Sequence, residues 1–262
     1  MSADTPGAGA EDAVLVGRVG HTMLVTINRP AVGNAVNLDI HLGVGRALES
    51  AESDDAVRSV VVTGAGDRAF CVESLLPASD EERAWGFAGF TAHAITKPTI
   101  AAINGFALGG GFEIVLAADL AVAADHAVMG LPEVRRGIIA AGGGAFRLGA
   151  QIPVKLANEL LYTGETITAQ RARELDLVNA LVPQGEVVSA ALDLAERINQ
   201  SAPLAVRASK RIAARIDCGR AVSDEPDWER SVREFSAIIE TEDAMEGPLA
   251  FTERRSPRWR AR

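Results

Sequence analysis

The chain has 262 residues, 48% of them hydrophobic, and a formal net charge of −9. Length and apolar content suffice for a sizeable core, in one large α/β domain or one domain with an appendage. The acidic balance disfavours nucleic acid. No apolar run approaches the ~20 residues of a membrane helix, and two cysteines, Cys71 and Cys218, make neither a disulfide framework nor a metal spacing.

In chain order, residues 1–12 are Ala/Gly-rich with acids and lack a basic start. They read as a disordered tail rather than a signal peptide, and the expected location is the cytoplasm. Residues 14–27 read as two strands joined near Gly20 in a hairpin. Asn37 is placed to cap a helix running to about residue 53. A buried strand over 58–63 closes at Gly64-Ala-Gly66, and a loop spans 69–76. A helix is expected over 79–96, ended by Pro98. The apolar run 99–103 reads as a short buried strand. It leads into Gly105-Phe-Ala-Leu-Gly-Gly-Gly-Phe-Glu113, after which residues 114–118 continue in helical register.

Another strand is expected over 119–124, then an extended loop over 128–134 and a second glycine cluster at 142–144. Helices follow over 153–162, 169–174, 185–200, 203–215, 223–240 and 242–254, with a short strand over 177–182. Alternating strands and helices before a helical tail argue an α/β core over 13–200 and a helical C-terminal region over 201–262. The periodicity does not choose between a Rossmann layer and a spiral.

Several chemistries are excluded by inspection. The chain has no G-x-G-x-x-G, no phosphate-binding P-loop motif, no G-x-S-x-G and no H-E-x-x-H. The histidines at 21, 41, 93 and 126 are scattered and read as surface or edge residues. What remains is carboxylate. Glu113 follows the triple glycine, where unpaired first-turn amides and the helix dipole suit an anion or a developing oxyanion. Glu133 follows Pro132, just before the second glycine cluster. Their separation of 20 positions allows one helix, one strand and one turn, which can return both acids to one sheet edge. Spacing alone leaves solvated surface acids as the simpler reading.

The stretch from Gly105 to Glu113, followed by an Ala-rich helix and Asp119, resembles the signature of the crotonase family of enoyl-CoA hydratases and isomerases. Other segments resemble it too. They are Ile27-Asn-Arg-Pro with Asn34-Ala35, Gly66-Asp-Arg-Ala-Phe-Cys71, Gly130-Leu-Pro-Glu133, Tyr162-Thr-Gly-Glu and Phe251-Thr-Glu-Arg-Arg-Ser-Pro. The likeness covers about residues 14–260.

This resemblance implies a spiral of ββα units with a helical C-terminal trimerisation region, assembled as a homotrimer or a dimer of trimers. It implies an acyl-CoA thioester substrate, with CoA part of the substrate and no separate cofactor or metal. Glu113 and Glu133 correspond to a catalytic pair typical of hydratases. The amides of Ser74 and Gly110 correspond to the oxyanion hole. Val32, Ala35, Val72, Phe251 and Arg254 correspond to CoA-binding positions, the last two often supplied by a neighbouring subunit. One departure stands out: after Cys71 the family commonly reads Ala-Gly-Ala-Asp-Leu, whereas this chain reads Val72-Glu-Ser-Leu-Leu76. The implied activity is hydration of a trans-2-enoyl-CoA. An isomerase or another crotonase reaction, or non-catalytic acyl-CoA binding, are the alternatives.

Overall fold

The computed structural model describes residues 12–72, 84–217 and 219–262. Two antiparallel strands open it, β1 (Val14–Val19) and β2 (Thr22–Ile27), turning at Gly20. Helix α1 (Leu38–Ser53) starts where Asn37 Oδ1 accepts the Ile40 N–H at 3.1 Å, the expected cap. At its far end the buried Lys97 donates Nζ to the carbonyls of Ala51 and Asp54, which satisfies groups the helix leaves over.

The middle of the chain repeats one plan. A strand enters a large sheet and the next enters a small sheet, and in the second and third units a helix follows. The strands are β3 (Ser59–Gly64) with β4 (Ala69–Val72), β5 (Thr99–Ile103) with β6 (Phe106–Leu108), and β7 (Leu120–Ala124) with β8 (Val128–Gly130). Helix α2 (Gly110–Ala117) follows β6, and α3 (Gly144–Gln151) follows β8 after a turn. The large sheet runs β1-β2-β3-β5-β7-β10, parallel from β2 onward, with β10 at Ala180–Val182. The small sheet runs β4-β6-β8-β9, with β9 (Thr166–Thr168) antiparallel at its edge. Helices α4 (Val154–Thr163) and α5 (Ala169–Glu174) flank β9.

Every residue of β3 and β5 is buried, as expected of parallel strands covered on both faces. One face meets Phe70, Phe112 and Met129 of the main core. The other meets α6 (Val187–Asn199), whose Val187, Ala191 and Ala195 recur every fourth residue against Val61, Ile100 and Val122.

The C-terminal stretch holds α7 (Pro203–Ala213), the short pair β11 (Ile216–Asp217) and β12 (Arg220–Ala221), α8 (Glu225–Ile239) and α9 (Glu242–Thr252). Helix α7 is tied to the core by Arg207 to Glu52 at 2.7 Å and Lys210 to Asp119 at 2.6 Å.

The expected helix over 79–96 is not found where residues are described. Residues 84–96 contain only a 3-10 turn at Phe87–Gly89, and Gly86, Ala88 and Gly89 all have positive φ, which an α-helix excludes. Residues 79–83 lie outside the described residues, as does the N-terminal tail through residue 11. The extended loop expected over 128–134 is instead strand β8 and a 3-10 turn, Pro132–Arg136.

Candidate active site

Three parallel strands of the small sheet end at one edge, and each end carries part of the predicted site. Strand β4 delivers Val72, β6 delivers Gly109 to Gly111, and β8 delivers Leu131 to Glu133. Ligand sites outside the carboxyl ends of parallel strands are a general outcome of this topology. The Gly109 N–H donates to the Gly130 carbonyl at 2.9 Å and locks the last two ends together.

The glycines are required by close approach. A β-carbon on Gly111 would lie 2.0 Å from the Cys71 carbonyl oxygen, and one on Gly110 would lie 2.3 Å from the Phe87 ring. The start of α2 is thereby pressed against the end of β4. The Gly110 amide, in the first turn, has no acceptor within its own helix. Ser74, the other expected oxyanion donor, lies outside the described residues.

Glu113 is 1% exposed, and its Oε1 accepts the Gly144 N–H at 2.8 Å. Gly142 packs against its Oε2, so closely that a β-carbon there would sit 2.2 Å away. The second glycine cluster therefore exists to receive Glu113. Glu133 is also 1% exposed and sits in the 3-10 turn after β8, its carbonyl accepting the Ile138 N–H. Both acids thus leave the same sheet edge, and neither is a solvated surface group. Their surroundings differ: Glu113 lies on the wall of a cleft of about 1160 Å³, whereas Glu133 is not one of the cleft's lining residues.

Phe87, Gly142 and Ile139 flank Glu113 in that cleft, and Trp228 and Asp224 approach from the C-terminal region. The cleft lining also carries a ring stack in which Trp85 lies 6.0 Å from His41 and 5.6 Å from His93. His41 is buried, contrary to the edge position expected of it, and its Nδ1 accepts the Gly89 N–H. Burial pushes the His93 imidazole below the usual histidine range, so its neutral form is favoured.

Arg147, on α3, also lines the cleft. Its Nη2 pairs with Asp224 at 2.9 Å, and its guanidinium lies 5.1 Å from the Phe146 ring centroid and 5.4 Å from that of Trp228. Burial draws its pKa below the usual arginine value, against the pull of Asp224 and then Glu113. Sequence reasoning missed Phe87, Arg147, Asp224 and Trp228. They come from three separated stretches with no shared motif, and only the tertiary fold collects them.

The CoA-binding positions fall into two groups. Val32 and Ala35 flank the tight turn at Gly33, against which the Val72 side chain packs, and Asn34 fastens that turn to the Ala65 and Ala69 carbonyls. Phe251 and Arg254 lie at the other end of the chain. They do not share a helix face as expected: α9 ends at Thr252, and Arg254 lies beyond it with φ of 53°. Instead Arg136 stacks on the Phe251 ring at 3.7 Å from its centroid.

Neighbouring cations are committed. Arg255 forks onto Glu246, whose carboxyl it holds at about 2, while Arg260 and Arg262 pair with Glu242. Among the described residues Arg254 makes no ion pair and is exposed. Arg254→Ala is expected to raise KM for a CoA ester with little change in kcat, and to matter less for a pantetheine thioester. Steady-state kinetics on the two esters check this, because a contact remote from the reacting atoms binds ground and transition state alike.

An α/β scaffold that seats a buried glutamate between two glycine turns, beside a cleft large enough for an acyl chain, is built for acid–base chemistry next to backbone amide donors. The chain belongs to the enoyl-CoA hydratase/isomerase family, whose profile matches residues 19–262. It is 39% identical over 253 residues to carnitinyl-CoA dehydratase of Salmonella arizonae, covering 93% of this chain and 96% of that one. A carnitinyl-CoA hydratase structure from Mycobacterium avium superimposes with TM-score 0.94 at 50% identity, covering 97% and 100% of the two chains. An enoyl-CoA hydratase structure from Mycobacterium tuberculosis gives TM-score 0.72 at 38% identity, covering 96% and 100%. The fold is accordingly the crotonase fold expected from the sequence. Among the described residues, no helix is long and apolar enough to cross a membrane.

Proposed function

We propose that the chain catalyses reversible hydration of a trans-2-enoyl-CoA to the 3-hydroxyacyl-CoA. The observation that carries this is Glu113, buried on the cleft wall, gripped at Oε1 by the Gly144 amide and one helical turn from Gly110. Water adds at C3 while C2 takes a proton, so negative charge builds on the thioester oxygen. The amides of Gly110 and Ser74 receive that charge, at about 3–4 kcal/mol for a well-aimed donor. Glu113 orients the water and takes its proton. We assign delivery of the proton to C2 to Glu133, which leaves the same sheet edge as Glu113 although it does not line the cleft. Protons and amide donors carry each step, and CoA enters as part of the substrate.

The relatives' names extend the reading to the acyl group. A carnitinyl chain carries a hydroxyl at C3 and a quaternary ammonium beyond it. Ring faces attract such cations, and Trp228, Phe87 and Trp85 line the cleft with Asp224, Glu225 and Glu229. We therefore place carnitinyl-CoA first among substrates to be tried. The experiment incubates the enzyme separately with carnitinyl-CoA, a plain 3-hydroxyacyl-CoA, a trans-2-enoyl-CoA and a 3-enoyl-CoA, and reads products by mass spectrometry. Loss or gain of water is the expected result. A double bond moved in 3-enoyl-CoA, with no water exchanged, makes it an isomerase. Tight calorimetric binding with no product makes it an acyl-CoA binding protein.

The active unit is proposed to be a trimer or a dimer of trimers. The C-terminal helices expose Leu204, Ile212 (80%), Val232, Met245 and Leu249, an apolar set that a second copy of the chain would cover. Light scattering at micromolar concentration is expected to give three or six protomers; a monomer contradicts this.

A further inference from the structure

The turn Gly142-Gly-Gly144 is clamped between two charged side chains. Gly142 and Gly144 face Glu113, where β-carbons would lie 2.2 Å from Oε2 and 3.0 Å from Oε1. Gly143, at φ 108°, faces the opposite way, and a β-carbon there would lie 2.5 Å from Arg147 Nη1 and 3.4 Å from the Trp228 ring. The Arg147 N–H also donates to the Gly143 carbonyl at 3.0 Å. One backbone turn thus separates an acid from a buried cation. The Arg147 side chain is only 15% exposed, and its Nη1 is buried with no hydrogen-bond acceptor among the described residues. Asp224 therefore engages one end of the guanidinium and leaves the other facing the glycine turn.

We propose that Arg147 is a positioning residue for the reaction: from behind the Gly142–Gly144 turn it keeps Glu113 ionised and holds the Gly144 amide on Glu113. This rests on reading Glu113 as the base. An opposite charge nearby favours the ionised carboxylate, and little water intervenes to screen it here. Asp224 has the opposite effect on Glu113, because it offsets part of the Arg147 charge. Among the described residues, the remaining charged groups on the cleft wall are Glu49 of α1, Asp119 before β7, Lys210 of α7, Arg220 of β12 and Glu225 and Glu229 of α8, with the titratable His41 and His93. Glu133 lies at the same sheet edge as Glu113. None of these has a contact with the glycine turn like that of Arg147. Asp224 and Trp228 also link the placement of Arg147 to the C-terminal region, so α8 helps to set the ionisation of a residue on α2.

The test compares Arg147→Met, Arg147→Lys and Asp224→Asn. The acid limb of kcat/KM reports the base of the free enzyme. Arg147→Met is expected to move that limb up by about one pH unit or more, with the larger loss of kcat at low pH. Arg147→Lys keeps the charge and is expected to restore most of the limb. Asp224→Asn is expected to move it down. Both Arg147→Met and Asp224→Asn break the same ion pair, so opposite limb shifts cannot come from lost stability alone. Carbon-13 NMR of glutamate-labelled protein, with the Glu113 carboxyl assigned through Glu113→Gln, reads the same shifts without substrate. Shifts by NMR in an enzyme indifferent to Glu113→Gln uphold the control of Glu113 ionisation by Arg147 but sink the proposed function and, with it, any role of Arg147 in the reaction. Unmoved limbs and an unmoved Glu113 titration, with a lowered Tm only, reduce Arg147 to a structural ion pair.

Discussion

Glu113→Gln is expected to lower kcat by ~10²-fold or more on every enoyl-CoA substrate, with the fold intact. Glutamine keeps the size of the side chain, and its carbonyl oxygen can still accept the Gly144 N–H that Glu113 Oε1 now accepts. It cannot take a proton from water. The loss should therefore fall on kcat, with KM nearly unchanged and Tm within a few degrees of the parent. Glu133→Gln is expected to cut hydration comparably, because addition of water needs a proton delivered at C2 as well as one removed at C3. The two variants measured on 2-enoyl-CoA and 3-enoyl-CoA separate a hydratase, which needs both acids, from an isomerase, which usually needs one. Full turnover by either variant would remove that acid from the mechanism.

Gly111→Ala should be among the most damaging single methyl groups in the molecule. Its β-carbon would sit 2.0 Å from the Cys71 carbonyl oxygen, a backbone atom of β4 that cannot rotate away. Helix α2 would have to lift off the small sheet, at a cost of about 1–3 kcal/mol or more. That movement also carries the Gly110 amide away from its place beside the end of β4. Losing one oxyanion donor costs ~10²–10³ in kcat. Thermal unfolding and kinetics together check this: a Tm fall with a kcat loss is expected, and a fully active variant with parental Tm contradicts the close contact. Gly110→Ala meets the Phe87 ring instead of backbone. A ring can rotate or shift, so its stability cost should be smaller.

The part of the site legible in the sequence is the part held in one continuous stretch. A strand, a glycine turn and a helix over 99–118 are readable because Thr99–Ile103 is apolar, the glycines interrupt it, and Glu113 falls in the first helical turn. Asn37 was equally readable as a cap. The small sheet was not. Strands β6, β8 and β9 have three residues each, too short for any alternation to show, and their partners lie far along the chain. Yet that sheet explains why Glu113 and Glu133 share an edge.

Over 84–96, where the expected helix is not found, Gly86 and Gly89 are a visible warning in the sequence. Arg147 had no local signal. Its importance depends on Glu113, 34 residues before it, and Asp224, 77 residues after it. The altered segment after Val72 was visible in sequence, and its Ser74 lies outside the described residues.

The most direct measurement of the central claim is the fate of solvent atoms in the reaction. A trans-2-enoyl-CoA incubated with the enzyme in oxygen-18 water should give a 3-hydroxyacyl-CoA with the heavy oxygen at C3. In deuterium oxide it should gain one deuteron at C2. Glu113→Gln should slow the appearance of both labels together, by the same ~10²-fold or more as kcat, as expected if one buried carboxylate starts the addition. Recovery of unlabelled starting thioester, or of an isomer with no solvent oxygen, would contradict hydration at this site.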